Sequence, residues 1–169
     1  MADTRGRVLL VVDKLNALLR GAVGLMLFTM VAVVFLQILV RFVFPKFGVV
    51  LSVPWTEELA RYLMIWCIFL GAAAATRAGD LIAMDTLTTV LGVRNAWRLK
   101  VFAWLVTMMF FAFLIVVGVR WVEFGLMEHS TVMDIPMVVV YLAMPVGGVL
   151  ALINIAVRVC ESHRRTKNT

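Results

Sequence analysis

The chain has 169 residues, 63% of them hydrophobic, and a formal net charge of +6. A soluble domain of this size has no interior for so much apolar surface, so a soluble globular protein is excluded and an integral membrane protein is indicated. About four spans of roughly 20 residues fit, too few for a large transporter acting alone, and the basic residues flank apolar runs, which suits topology and anionic lipid better than nucleic acid.

Residues 1–20 carry Arg5, Arg7, Lys14 and Arg20 against Asp3 and Asp13. The apolar run Val8–Val12 is too broken for a secretory signal, and no small-residue cleavage pattern follows it. An amphipathic lead-in helix lying on the cytoplasmic surface is expected. The uncharged stretch Gly21–Val40 is the heart of a first span over about 19–44, closed by Arg41. Its one polar residue, Gln37, is expected to bond a neighbouring helix or Arg41.

A second span is expected over 54–76. It opens with Pro54, suited to a first helical turn. It places Glu57, Glu58 and Arg61 at the mouth of an apolar helix and then runs through five small residues, Gly71 to Ala75. Drawn as a helix, one face carries Glu57, Glu58, Arg61, Ile65, Ile68, Gly71, Ala72 and Ala75; the other carries Leu59, Leu63, Trp66 and Leu70. Small residues let another helix approach, and charged groups at depth face protein or water. The first face is therefore the expected contact with a partner subunit, and the bulky second face is expected to meet lipid.

Gly79 and Asp80 suit a helix end and the cap of the next helix. A short interfacial helix follows over about 80–91, with Asp85 on it and Gly92 closing it. Arg94, Trp97, Arg98 and Lys100 then make a basic-aromatic cluster of the kind found at a cytoplasmic interface. Together with Arg41 and Asp85 they are the candidate anchoring residues. A third span covers 101–121, an acidic loop runs from Arg120 to Asp134, and a fourth span covers 135–157. In that last span Pro145 predicts a kink, and Gly147 and Gly148 predict close helix approach. The whole chain, 1–169, reads as one membrane domain.

Twelve of the sixteen Lys and Arg residues fall on the side of the two termini and the 77–100 segment. The positive-inside rule then puts both termini in the cytoplasm and Glu57, Glu58 and the acidic loop outside. The expected class is all-α: four transmembrane helices plus the interfacial one.

Nothing points to catalysis. No nucleophile is paired with a base, and no phosphate-binding loop or zinc motif occurs. His129 and His163 both lie outside the spans, where a haem anchor would need histidines within the bundle. Cys67 and Cys160 form no CxxC motif. No cofactor or metal is expected. The ion pair Glu57–Arg61, spaced four apart with the acid first, is in the favourable order. The other spans offer no charged relay partners, which argues against an ion pathway through this chain.

Four pieces of the chain resemble the small membrane subunit, DctQ type, of tripartite ATP-independent periplasmic (TRAP) transporters. They are Gln37 to Phe44; Trp55-Thr56-Glu57-Glu58-Leu59-Ala60-Arg61-Tyr62-Leu63 through Trp66 to Gly71-Ala72; Asp85; and Asp134-Ile135-Pro136 with Tyr141 and Met144-Pro145-Val146-Gly147. The resemblance covers about residues 15 to 157. One departure is Asp80-Leu81-Ile82, where the family often has a His–Ile pair. The resemblance implies a multi-pass protein of the bacterial inner membrane that pairs with a large subunit. That subunit would hold the substrate and sodium sites, and a periplasmic binding protein would deliver a carboxylate-bearing solute. The small subunit would be a non-catalytic scaffold in contact with phospholipid. The alternative left open is a self-contained four-helix protein, either a small homo-oligomeric exporter or the membrane anchor of a redox enzyme. The first would want an embedded carboxylate, the second bundle histidines.

Overall fold

The computed structural model describes residues 2–48, 51–78 and 92–167, and among them the side chains of 9–48, 51–78 and 101–161. The described residues are helical almost throughout and hold no strand. Helix α1 (Ala2–Ile38) passes into a π-helical turn, Leu39–Val43, and a 3-10 turn, Phe44–Phe47, which Gly48 closes at φ 78°. Then come α2 (Trp55–Ala78), α3 (Gly92–Gly125), the single turn α4 (Val138–Tyr141) and α5 (Ala143–Lys167). Among the described residues four segments are long and apolar enough to cross a membrane: Leu9–Phe47, Trp55–Ala78, Val101–Gly125 and Val138–Glu161.

Several expectations change. The lead-in is helical, but it is the start of α1 and not a separate surface helix. Val12, Asn16 and Leu19 are buried, and their three-four spacing continues through half-buried Val23, Met26, Met30, Val33 and Gln37 to buried Val40. One stripe thus faces the bundle over the full length of α1. Gln37 makes no hydrogen bond among the described residues. Gly92 is the first described residue of α3. Arg120 and Glu123 belong to α3, which runs on to Gly125. The expected interfacial helix over 80–91, its caps and Asp85 lie outside the described residues, as do the side chains of Arg94, Trp97, Arg98 and Lys100.

The fourth span breaks at Leu142, between α4 and α5. Pro145 explains the position. It has no N–H for the Tyr141 carbonyl four residues back, so the ladder is interrupted there. Val146 N–H resumes the pattern by bonding Leu142 O at 3.1 Å.

The helices pack in the order α1–α2–α5–α3. Helix α5 lies between α2 and α3, and α1 and α3 stand at the two ends with the least buried surface. Ala73, Phe111, Ala151 and Ile155 form the core where α2, α3 and α5 meet. Glycines set how closely these helices come. A Cβ on Gly147 would lie 2.7 Å from Phe69 Cβ and 2.8 Å from Phe69 O; one on Gly118 would lie 2.8 Å from Pro145 Cδ; one on Gly148 would lie 2.7 Å from Ile115 Cγ1. The last span is therefore the central helix, seated in α2 and α3 by glycine contacts.

Two polar clusters fasten one end of the bundle. In the first, the amides of Asn16 and Asn154 exchange reciprocal hydrogen bonds of 2.7 and 2.8 Å. Asn16 also donates to Val12 O, and Asn154 donates to Ala73 O at 2.7 Å. Three helices are thereby joined by two buried side chains. Such pairs are worth about 0.6 kcal/mol on average in membrane proteins, with a maximum near 2. Asn154→Leu breaks three of these bonds and strands Asn16 Oδ1, so it is expected to cost about 1–2 kcal/mol. A thermal melt in mild detergent should fall by several degrees; an unchanged melt would contradict the assignment.

In the second cluster Arg77, near the end of α2, grips Glu161 with two nitrogens, at 2.7 and 3.0 Å. It also bonds Asp13 through Nε at 3.0 Å and Nη2 at 2.8 Å. Arg158 donates to the carbonyls of Arg77 and Thr76, placing a cation at the carboxyl end of α2.

Candidate partner interface

Helix α2 starts where Thr56 Oγ1 turns back to Val53 O at 2.6 Å. Glu57 and Glu58 sit in the first turn, where the helix dipole favours acids. These two neighbours then point different ways. Glu57 is exposed and pairs with Arg61 at 3.7 Å, with both side chains more than 60% open. A pair this open adds little stability of its own.

Glu58 is turned into the chain. Its carboxylate accepts the Met133 N–H at 2.9 Å and the Thr131 hydroxyl at 3.5 Å. This ties α2 to the hairpin between α3 and α4. The hairpin closes on itself through Ser130 N to Ile135 O at 2.9 Å and Met137 N to Glu128 O at 3.0 Å. Asp134 takes a positive φ of 52° at its bend, and His129 Nδ1 lies 3.3 Å from Asp134 Oδ1. Tyr141 donates to Glu128 at 3.1 Å and stacks edge-on with Trp121.

The face expected to meet a partner is thus divided. Glu57, Arg61 and Ile68 are exposed, and Met64 joins them at helical spacing. Ile65, Gly71, Ala72 and Ala75 are half-buried. Gly71 looks toward α1, where an added Cβ would lie 4.0 Å from Val23 Cγ1, and Ala72 packs against the core where α2, α3 and α5 meet. Glu58 is engaged with the hairpin. What stays open is the stripe Glu57–Arg61–Met64–Ile68.

The face expected to meet lipid is corrected. Leu70 is buried, and Trp66 donates its indole N–H to Val139 O at 3.2 Å. Leu59 and Leu63 are half-buried. Cys67, one turn beyond Leu63, is buried with its thiol toward Val23 O. The bulky face packs inside the chain because α1, α4 and α5 fit around it. Periodicity alone does not separate an apolar face turned to a neighbouring helix from one turned to lipid.

Sequence reasoning passed over Asn16 and Asn154. For Asn154 a signal existed, since a lone carboxamide within an uncharged run must find a hydrogen-bond partner; Asn16, between Lys14 and Arg20, carries no such signal. The guanidinium of Arg77 is taken up by Asp13 and Glu161, a pairing across the bundle that the sequence does not announce. Arg41, the remaining anchoring candidate, is exposed on the π-helical turn with its guanidinium 5.8 Å from the Phe42 ring centre.

Comparison with known proteins bears on this arrangement. The profile of the family described as tripartite ATP-independent periplasmic transporters, DctQ component, matches residues 30–165. A Haemophilus influenzae (strain Rd) protein assigned as a TRAP transporter small permease protein is 29% identical over 119 residues, 69% of this chain and 70% of the relative.

Proposed function

Because the chain belongs to the DctQ component family of TRAP transporters, we propose that it is the scaffold that seats a large multi-spanning subunit against its second span. As a TRAP small permease component it is a multi-pass protein of the bacterial inner membrane. The observation that carries the reading is the open stripe Glu57–Arg61–Met64–Ile68 on a helix whose other faces are occupied. A cation and an acid at the helix mouth fix depth and register, and the apolar residues below supply packing. The half-buried Ile65, Gly71, Ala72 and Ala75 border this stripe and complete the proposed contact.

The excess of Lys and Arg at the Arg77 end supports cytoplasmic termini, with Glu57 and the hairpin facing the periplasm. A periplasmic binding protein that delivers a carboxylate-bearing solute would then meet the transporter on the hairpin side. Substrate and coupling-ion chemistry belongs to the large subunit in this reading. The described spans carry no chain of ionisable groups that could relay an ion. On the inner side, Arg94, Trp97, Arg98, Lys100 and Asp85 are assigned to the headgroup layer.

The test is co-purification of the tagged chain with its large subunit in mild detergent. Arg61→Ala is expected to reduce the retained partner several-fold, and Leu63→Ala much less. Equal yields would overturn the assignment of faces, and no retained membrane partner even with the native chain would overturn the scaffold reading itself.

A further inference from the structure

The end of α1 lies outside the proposed partner interface, and only Arg41 of it is an anchoring candidate so far. The π-helical turn and the 3-10 turn after it expose Phe42 at 62% and Phe47 at 78%, together with Arg41 and Lys46. Neither cation has an acidic partner among the described residues. The carboxylates at the same end are engaged elsewhere: Glu57 with Arg61, Glu58 with the hairpin, Glu128 with Tyr141 and Asp134 with His129. Glu123 lies on α3, at the opposite end of the packing order.

Depth identifies the medium. Asp13 is tied to Arg77 at one end of the bundle. At about 1.5 Å per residue, Arg41 lies roughly 40 Å farther along the chain, beyond a hydrocarbon core of about 30 Å and within a full bilayer of about 40–45 Å. Two cations without counter-charges among exposed aromatic rings, at headgroup depth, match one occupant.

We infer that the collar Arg41–Phe47 recruits anionic phospholipid. Arg41 and Lys46 hold lipid phosphates, and Phe42 and Phe47 lie among the upper acyl carbons. Pro45 and the left-handed Gly48 keep the segment compact, so that cations and rings stay at one level. The inference depends on the chain being in a bilayer, not on the partner reading or the orientation.

A local probe tests it. Ser52 is exposed a few residues beyond the collar, and Cys160→Ser leaves buried Cys67 as the remaining thiol. The Cys160→Ser/Ser52→Cys chain is labelled with bimane and placed in phosphatidylcholine nanodiscs. These carry equal fractions of nitroxide-labelled phosphatidylglycerol or nitroxide-labelled phosphatidylcholine. Each cation is expected to enrich the anionic lipid about fivefold near the probe, equivalent to ~1 kcal/mol, at low salt. Quenching by the phosphatidylglycerol label should exceed that by the phosphatidylcholine label. In Arg41→Gln/Lys46→Gln, with an unchanged melt, the two should become equal. Equal quenching in the native collar overturns the inference. If that double variant also loses the large subunit on co-purification, the cations form a protein contact instead.

Discussion

Gly147→Val should abolish the folded chain. A Cβ at this position would lie 2.8 Å from the Phe69 carbonyl oxygen and 2.9 Å from its carbon, and neither atom can swing away as a side-chain tip can. Helices α2 and α5 would have to separate, and with them the core around Ala73 and Ala151. Overpacking a fitted core costs about 1–3 kcal/mol, and contact with backbone places this site at the upper end or beyond. In mild detergent the variant is expected to aggregate or to melt far below the native chain. Gly24→Val is the matched control, since among the described residues no neighbouring helix lies within 4 Å of a Cβ there. Its melt should be close to native. A Gly147→Val chain that melts like the Gly24→Val chain would refute the close α2–α5 packing.

The second large effect is expected at Arg77. Its side chain is 14% exposed, whereas the acids it holds, Asp13 and Glu161, are 56% and 38% exposed. Arg77→Met removes four charge-assisted hydrogen bonds and leaves two carboxylates facing each other. Breaking a buried pair from one side costs about 3–5 kcal/mol, and the exposure of the acids reduces this to about 2. Arg77→Lys should recover only part, because one ammonium does not reproduce the forked grip on Glu161. Adding Asp13→Asn and Glu161→Gln to Arg77→Met should restore much of the melt if repulsion between the two acids is the cause. A triple variant as unstable as Arg77→Met would show that the lost hydrogen bonds, not that repulsion, dominate.

The four apolar runs were legible in the sequence because hydropathy over twenty residues is a local property. The charged mouth of α2 was legible for the same reason. Partnerships across the bundle were not. Asp13 looked like an interruption in an apolar run, yet it answers a guanidinium sixty-four positions away. Leu70 and Trp66 looked lipid-facing because bulky apolar side chains serve equally well in a core and against acyl chains. Glu57 and Glu58 looked alike on a helical wheel, and only the hairpin separates them, by offering one of the two a backbone N–H. The role of Gly147 was partly readable, since a glycine in a span suggests close approach. The helix that approaches it was not.

The packing order differs from the order of synthesis. Helix α5 leaves the ribosome last and lies in the middle, between α2 and α3. Until it arrives, α2 and α3 are joined only at the end where the hairpin and α4 meet α2, and the backbone at Phe69 and the notch at Gly118 lack the helix that covers them. The fold is therefore completed only after translation of the last span, by a helix that enters between two already inserted. A ribosome stalled before Ala143 would leave the α1–α2 pair and α3 without the helix that packs between them, and release of the final segment would act as the closing step of assembly.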